Sequence, residues 1–300
     1  MAVDLPLRGI ITALLTPFST SGRVDEESFR ELVRFQLKSK VNGFFTLGTT
    51  GLGPALQPDE RKRVAEIVVE ETNGRIPVII QVGAADPLVS LDLARHAQKV
   101  GADAVASLTP FYYHPGEAAT LEYFERLSQT TNLPVFVYNI PGNTGNNVDA
   151  SLLLKLSKIP NVVGVKDSSR DFSQLLDYLE IVPDGFNVIN GTDSYLCSAF
   201  CGGVHAGVSA TANPFPEIFV ETYQAYKAGS LDKGKALQFK IHALRNVLDD
   251  PPIAPLLEAV RLRGLKGGLV KPPLRSMNAD EIQTLHASIS RLQPDMKLVA

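Results

Sequence analysis

Short apolar runs rich in β-branched residues alternate along this chain with longer amphipathic stretches. The runs have the length of buried strands, and the stretches between them have the periodicity of helices. The predicted strands cover residues 10–15, 43–47, 78–82, 102–108, 135–139, 162–165, 186–189 and 205–210. The helices predicted between them include residues 25–40, 58–72, 87–100, 120–131 and 172–181. This alternation indicates βα units that share one parallel sheet.

Eight such units predict a TIM (β/α)8 barrel, an α/β fold that takes about 250 residues. The alternative is an open, doubly wound sheet, which usually carries a glycine-rich dinucleotide loop after its first strand. Here Thr16, Pro17 and Phe18 occupy that place, so the barrel is preferred. Further helical stretches follow at residues 233–248, 253–263 and 280–292. We therefore expect a barrel over residues 1–229 and a C-terminal helical extension over residues 230–300.

Composition and charge narrow the classes of partner. The formal net charge is −3, with 29 basic and 32 acidic residues spread along the chain, and no basic stripe suggests nucleic acid. No window approaches the roughly 20 apolar residues of a membrane span. The apolar run at residues 9–15 lacks the basic flank and cleavage site of a signal peptide. We expect a cytoplasmic protein with no membrane and no nucleic-acid partner.

The two cysteines, Cys197 and Cys201, lie four residues apart in an apolar stretch. Helical spacing puts them on one face, where a disulfide bond is unfavourable. We expect both to be small core residues.

Polar side chains gather where the predicted strands end, which is the edge of a TIM barrel that carries its chemistry. Five strands run into such loops. The loops are residues 48–51 (GTTG), 109–113 (TPFYY), 138–139 (YN), 166–167 (KD) and 190–193 (NGTD). We expect the five loops to meet at one rim of the barrel.

Lys166 directly follows an apolar strand, whereas the other lysines lie in charged helices or in turns. Burial disfavours the charged ammonium and can lower a lysine pKa to about 7 or 8, where the amine becomes nucleophilic. The alternative is a structural lysine that snorkels to solvent or pairs with Asp167. Position at a strand end does not by itself decide between the two.

Other residues at this rim could assist a nucleophile. The hydroxyls of Thr49 and Thr50 lie in a turn whose backbone amides could hold a carboxylate. Tyr138 and Tyr112 would relay a proton only if hydrogen-bonded to each other or to Thr49. Asp193 either holds a substrate hydroxyl or caps the helix that follows.

In order and spacing, these motifs resemble the dihydrodipicolinate synthase and N-acetylneuraminate lyase superfamily of class I pyruvate aldolases. The matching segments are GTTG at residues 48–51, TPFYY at 109–113, YNIPGNTG at 138–145 and GVKDSS at 164–169. The likeness extends over essentially the whole chain. It implies a lyase on a TIM barrel.

The resemblance also implies a role for each residue. Lys166 would form an imine with a 2-keto acid such as pyruvate, Thr49 and Thr50 would hold its carboxylate, and Tyr138 would shuttle the proton. Tyr112 matches a tyrosine that reaches the site of the neighbouring subunit, which implies a homo-oligomer, at least a dimer and commonly a tetramer. No cofactor is expected, because the protonated imine itself stabilises the carbanion. The residues expected to bind substrate are Gly48, Thr50, Asn143, Gly191, Asp193 and Ser209.

Two departures separate the chain from the lysine-biosynthesis synthase. Asn143 replaces the arginine of that subgroup's Tyr-Asn-Val-Pro-x-Arg-Thr-Gly motif, and an amino-acid partner such as aspartate semialdehyde then loses a bidentate clamp. Leu52 replaces the glutamate that usually follows GTTG, and residues 52–56 (LGPAL) resemble 2-keto-3-deoxygluconate aldolases. We therefore expect reversible cleavage of a 2-keto-3-deoxy sugar acid to pyruvate and an aldehyde.

Other members of the superfamily stay open as alternatives. Phosphate-accepting aldolases place an arginine after their tyrosine pair, where this chain has His114, Pro115 and Gly116, so a non-phosphorylated substrate is favoured. Asn143 and residues 166–168 are also similar to 4-hydroxy-2-oxoglutarate aldolase, and deoxy sugar-acid dehydratases share the lysine. The alternatives are thus dihydrodipicolinate synthase (4-hydroxy-tetrahydrodipicolinate synthase), 4-hydroxy-2-oxoglutarate aldolase and a dehydratase.

Functions outside the superfamily are less well supported. A sugar-phosphate isomerase would need a carboxylate base at a strand end and a glycine-rich phosphate loop, for which only Asp193 and residues 209–213 are available. A non-catalytic barrel would have lost part of the lysine, threonine and tyrosine set, which is intact. None of the five histidines has the i, i+4 partner of a helical zinc pair, so no metal is expected.

Overall fold

A closed barrel of eight parallel strands forms the centre of the computed structural model, which describes residues 7–293. The strands pair in chain order, and β8 closes the barrel on β1, with Gly9 opposite Ala206. The predicted TIM barrel is confirmed. The strands are β1 Gly9–Ala13, β2 Gly43–Thr46, β3 Val78–Gln81, β4 Ala104–Leu108, β5 Val135–Asn139, β6 Val162–Asp167, β7 Asn187–Asn190 and β8 Ala206–Ser209.

Helices connect the strands around the outside of the barrel. They are α1 Glu26–Lys38, α2 Pro58–Thr72, α3 Pro87–Val100, α4 Gly116–Thr130, α5 Pro141–Thr144, α6 Ala150–Leu156, α7 Phe172–Ile181, α8 Leu196–Cys201 and α9 Pro216–Lys227. Short 3-10 turns at Gly53–Ala55 and Asp193–Tyr195 follow β2 and β7. Helices α2, α3 and α7 have the predicted bounds. Proline begins α2 and α3, and the Asp86 and Asp171 side chains cap α3 and α7.

Strand β6 is longer than predicted, since it runs to Asp167 rather than to residue 165. Lys166 pairs with Tyr138 on β5, and Asp167 pairs with Asn139 on β5 and Asn190 on β7. Backbone pairing continues past the apolar residues because it does not depend on side-chain polarity. The lysine therefore lies within the strand, whose alternation fixes the face on which it lies.

Alternate residues of the strands build two apolar layers. One layer lies inside the barrel and includes Ile11, Phe45 and Phe136, and the other lies between the sheet and the helices and includes Phe124. A Cβ atom on Gly164 would lie 2.5 Å from the Phe136 ring, so this strand position requires glycine. By the same alternation Lys166 faces the barrel interior.

The C-terminal helices are α10 Leu231–Val247, α11 Ala254–Leu262 and α12 Ala279–Leu292. Helix α10 packs against α9 and the turn after β7, and α12 packs against α10 and α11. The Gln238 amide of α10 donates to the Asp193 carbonyl at 2.8 Å and accepts from the Cys197 amide at 2.8 Å. The predicted extension is therefore fastened to the rim of the barrel. We propose the boundary at residues 229–230, between α9 and α10. Residues 1–6 and 294–300 of the two predicted units lie outside the described residues.

Both cysteines are free thiols, but the expectation that both are core residues is wrong. Cys197 is partly buried and Cys201 is exposed, because α8 turns Leu196, Ala199 and Phe200 towards the core. Among the described residues, no helix is long and apolar enough to cross a membrane.

Candidate active site

A cavity of about 520 Å³ opens at the carboxyl ends of the strands. Residues at or just after the carboxyl ends of β2, β5, β6, β7 and β8 line it. The sequence predicted four of these strand ends, those of β2, β5, β6 and β7. The predicted loop after β4, residues 109–113, does not line it. The predicted residues that line it are Thr49, Thr50, Tyr138, Asn143, Lys166, Gly191 and Asp193.

Lys166 is at the centre of this group, and only 5% of its surface is exposed. Its Nζ atom lies 4.0 Å from the centre of the Phe45 ring and 3.9 Å from the centre of the Tyr138 ring. Burial lowers the pKa of Lys166, and the neighbouring Tyr138 phenol opposes this shift. The amine is thus placed in an apolar setting that favours its nucleophilic, neutral form.

The structural alternative for Lys166, an ion pair with Asp167, is not observed. Asp167 lies on the opposite face of β6, where its carboxylate accepts hydrogen bonds from Asn139 and Ser169. Within residues 7–293, Lys166 forms no salt bridge. Its side chain is also too buried to snorkel to solvent.

Tyr138 and Thr49 form the hydrogen-bonded pair that a proton relay requires. The phenol oxygen lies 3.2 Å from the Thr49 hydroxyl, and the Tyr138 ring packs edge-on against Phe45. The turn that carries Thr49 is tight, because a Cβ atom on Gly48 would lie 2.8 Å from the Phe45 ring. Thr50 lines the cavity beside this pair. The hydroxyls of Thr49 and Tyr138 and the Lys166 amine therefore line the same cavity.

Gly191 gives the lysine its space. A Cβ atom there would overlap the Ser168 hydroxyl and lie 3.1 Å from Cε of Lys166. Asp193 is buried, and burial raises the pKa of its carboxyl, while the hydroxyls of Thr211 and Ser209 oppose that shift by hydrogen bonding. The helix that follows, α8, has Tyr195 at its N-cap and no side-chain cap, so Asp193 does not cap it. Asp193 instead lines the cavity that contains Lys166.

Tyr112 stands apart from this site. It is 82% exposed, packs edge-on against Tyr113 and has a φ of 77°, an unusual value for a residue other than glycine. It does not line the cavity that contains Lys166. Within one chain, therefore, the structure does not bring Tyr112 to the other predicted catalytic residues.

Sequence reasoning missed several residues at the cavity mouth. Arg170 and Thr211 lie just beyond β6 and β8, so the rule that marked Lys166 could have found them. Arg245 and Ile253 come from the C-terminal extension, and strand ends give no signal for them. One nitrogen of the Arg245 guanidinium lies 3.3 Å from the Asp249 carboxylate. In residues 7–293 no group of three or more His, Cys, Asp or Glu side chains could hold a metal ion.

Comparison with known sequences finds one family over nearly the whole chain. The model of the dihydrodipicolinate synthetase family matches residues 6–292. An uncharacterized DapA-like lyase of Halobacterium salinarum is 36% identical over 289 residues, which cover 96% of this chain and 95% of the relative. A 4-hydroxy-tetrahydrodipicolinate synthase of Methanopyrus kandleri is 33% identical over 95% of this chain and 96% of its own length.

Solved structures superpose on this chain over nearly its whole length. YagE, a prophage protein of Escherichia coli K12 from the dihydrodipicolinic acid synthase family, was solved with pyruvate and is 27% identical to this chain. It superposes with a TM-score of 0.92 and covers 96% of this chain and 99% of its own. The structure described as KD(P)GA from T. tenax has a TM-score of 0.90 at 30% identity, with 96% and 100% covered.

Proposed function

This chain belongs to the dihydrodipicolinate synthetase family, and from that premise we propose that it reversibly cleaves a 2-keto-3-deoxy sugar acid of the 2-keto-3-deoxygluconate type. It is a class I, pyruvate-dependent carbon–carbon lyase. The observation that carries the proposal is the buried amine of Lys166, placed between two rings and beside the hydrogen-bonded Tyr138 and Thr49.

Cleavage begins at the Lys166 amine. Its lone pair attacks C2 of the keto acid, and the carbinolamine loses water to give a protonated imine between Nζ and C2. The cation draws electrons from C3, so the C3–C4 bond breaks and its electron pair forms an enamine. Protonation at C3 and addition of water then release pyruvate and restore the amine.

Tyr138 moves the proton that is transferred when the C3–C4 bond breaks. The phenolate form takes the proton of the C4 hydroxyl as the C3–C4 bond breaks, so the departing fragment becomes an aldehyde. The phenol then returns that proton to C3 of the enamine. Thr49, 3.2 Å from the phenol oxygen, holds the Tyr138 hydroxyl in place by hydrogen bonding.

The substrate carboxylate is assigned to the turn after β2. Thr50 and Thr49 supply hydroxyl donors there, and the tight backbone at Gly48 supports them. The other end of the substrate is assigned to Gly191 and Asp193, which line the cavity, and to Ser209, whose hydroxyl lies beside the Asp193 carboxyl. A buried carboxylate accepts hydrogen bonds from sugar hydroxyls, which suits a polyhydroxylated partner.

Replacement of the clamp arginine by Asn143 supports a sugar acid over an amino-acid aldehyde. Asn143 lines the cavity, where its amide can bond a neutral hydroxyl but cannot pair with a carboxylate as an arginine does. The second candidate is 4-hydroxy-tetrahydrodipicolinate synthase, which is supported by the name of the Methanopyrus kandleri relative.

We also infer a cytoplasmic homo-oligomer, a dimer or a tetramer, in which Tyr112 enters a partner's site. The exposed Tyr112 ring is one support for this. A second is an apolar cavity of about 210 Å³ next to the relay, whose lining includes Thr49, Leu52 and Phe111. An aromatic ring from a second copy would fill such a space.

A panel of substrates tests the assignment. Retro-aldol rates on 2-keto-3-deoxygluconate and on 4-hydroxy-2-oxoglutarate would be measured by pyruvate release, beside synthase activity on pyruvate with aspartate semialdehyde. We expect kcat/KM for the sugar acid to exceed the others by at least about tenfold, the margin that one or two lost hydrogen bonds produce. Reaction of the last pair alone would refute the sugar-acid assignment.

A further inference from the structure

A buried polar cluster lies directly behind the reacting pair, on the outer side of strands β5 and β6. Tyr138 is opposite Lys166 in the register of these strands, and Asn139 is opposite Asp167. Because side chains alternate along a strand, the first pair faces the barrel interior and the second pair faces the helices. Tyr138 and Lys166 are thus each followed immediately by a member of this cluster.

Asn139 and Asp167 connect the two strands through their side chains. The side-chain NH2 of Asn139 donates to the Asp167 carboxylate at 2.8 Å and to the side-chain oxygen of Asn147 at 2.9 Å. The side-chain oxygen of Asn139 accepts from the backbone amide of Val148 at 3.0 Å. Neither Asn139 nor Asp167 is exposed to solvent. The cross-strand bond therefore lies where water cannot replace it.

The Asp167 carboxylate is held by neutral donors. The Ser169 hydroxyl and amide donate to one oxygen at 2.6 and 3.3 Å, and Asn139 and Gln174 donate to the other at 2.8 and 3.4 Å. Among residues 7–293 it has no salt-bridge partner. A buried carboxylate is unfavourable unless its oxygens are satisfied, so these contacts fix its position closely.

The backbone at the same positions extends the connection to the next strand. The Asn139 carbonyl accepts from the Ser168 amide at 2.8 Å, and the Asp167 carbonyl accepts from the Gly191 amide at 2.6 Å. Gly191 is the residue whose missing side chain leaves room for Cε of Lys166. The cluster thus holds three strand ends around the lysine.

We propose that Asn139 and Asp167 are positioning residues for the reaction, and that their cross-strand hydrogen bond keeps the Lys166 amine against the Tyr138 ring. The proposal rests on the roles given to Lys166 and Tyr138 under the proposed function. Neither residue of the bond touches substrate. Their effect reaches the reacting atoms through the register of β5 and β6.

Exchanging the donor and the acceptor tests this bond. Asn139→Asp places two carboxyls face to face, and Asp167→Asn removes the charge and sets amide donors against each other. We expect each single variant to lower kcat by about tenfold to a hundredfold, the effect of a displacement of about 1 Å at the reacting group. The KM should change by less than about threefold, because Thr49 and Thr50 are not altered.

The double variant Asn139→Asp/Asp167→Asn restores one donor and one acceptor across the same strands. The carboxyl created at position 139 still accepts from Val148, and the amide created at position 167 still presents an oxygen to Ser169. We expect the double variant to recover kcat to within about threefold of the wild type, a strongly non-additive result. The same pattern should be seen in the rate of imine formation with pyruvate, trapped by borohydride.

Leu127→Ala in α4 is the control for stability alone, since it removes a fully buried side chain away from the site. It should lower the melting temperature without the loss of kcat. Single variants that retain the wild-type kcat, or a double variant as slow as the singles, would overturn the positioning role. If the wild type itself forms no adduct on Lys166, the proposed function fails and this inference with it.

Discussion

At the scale of single residues, the chemistry of this chain depends on what surrounds one amine. The position of Lys166 after an apolar run could be read from the sequence. The choice between an active and an ion-paired lysine could not, because it depends on which face of β6 carries Asp167. The structure puts two rings within about 4 Å of Nζ and puts the carboxylate on the other side of the strand.

The lowered pKa of Lys166 predicts how imine formation depends on pH. Only the neutral amine attacks pyruvate, so the trapping rate should rise with pH and reach its plateau below pH 10.5, the ordinary value for lysine. The measurement is the rate of borohydride-trapped adduct from about pH 6 to about pH 10. A rate that keeps rising tenfold per pH unit up to pH 10 would show an unperturbed lysine.

The same shift predicts that Lys166 lowers stability. A lysine whose folded pKa is lowered binds fewer protons in the folded state than in the unfolded state, so its unfavourable contribution is present at neutral pH and fades as pH rises through the unfolded value. Lys166→Met should therefore raise the melting temperature at pH 7 by about 1 °C or more, with a smaller gain at pH 10. A lower melting temperature at pH 7 would contradict this.

Gly191→Ala should slow the reaction strongly by displacing Lys166. The added methyl group would overlap the Ser168 hydroxyl and lie 3.1 Å from Cε of Lys166, so the lysine must move. We expect kcat to fall by about a hundredfold or more. Gly202→Ala is the control, since Gly202 is exposed, has a φ of -74° and would place its Cβ nearest to the end of the Leu176 side chain, at 3.1 Å. Equal loss in the two variants would refute the steric argument.

At the scale of elements, the helix starts that carry a local signal were predicted most closely. Helices α2, α3 and α7 begin where proline or aspartate favours a first turn, and those signals are local. Helix α4 begins at Gly116 rather than at the predicted residue 120, and β6 extends to Asp167 rather than residue 165. Strand ends depend on register with neighbouring strands, which no local signal specifies.

The contribution of the α7 N-cap to the free energy of unfolding can be measured. The Asp171 carboxylate accepts from the Gln174 amide at 3.1 Å, so Asp171→Ala should lower the free energy of unfolding by about 1 kcal/mol. Asp177→Ala, at an exposed position within the same helix, is the matched control and should change it by less than about 0.5 kcal/mol. Denaturant unfolding gives both values. Equal effects would show that the cap is not stabilising.

At the scale of the whole molecule, the site is built from parts distant in the sequence. The extension places Arg245 and Ile253 at the mouth of a cavity whose base is Lys166. An amphipathic helix pattern predicts a buried face but not which part of the barrel it meets, so these contacts could not be foreseen. Likewise, the motif at Tyr112 was visible in the sequence, but its exposed position in the single chain was not.

We expect Arg245 to contribute to binding of the substrate end remote from the imine, and not to formation of the imine. Its guanidinium lies close enough to Asp193 to oppose the rise in the pKa of that buried carboxyl. We expect Arg245→Met to raise the KM for a six-carbon keto acid by about tenfold and to leave pyruvate trapping unchanged. Lys240→Met, at an exposed position on the same helix, is the control. A slower trapping rate in Arg245→Met would place the arginine in the chemistry instead.

The central claim is that Lys166 forms an imine with pyruvate, and trapping that imine tests the claim most directly. The protein would be incubated with pyruvate and borohydride, and its intact mass and the modified peptide would be determined beside those of Lys166→Met. The account predicts one reduced pyruvate adduct per chain, located on Lys166 and absent from the variant. No adduct, or an adduct on another lysine, would contradict it.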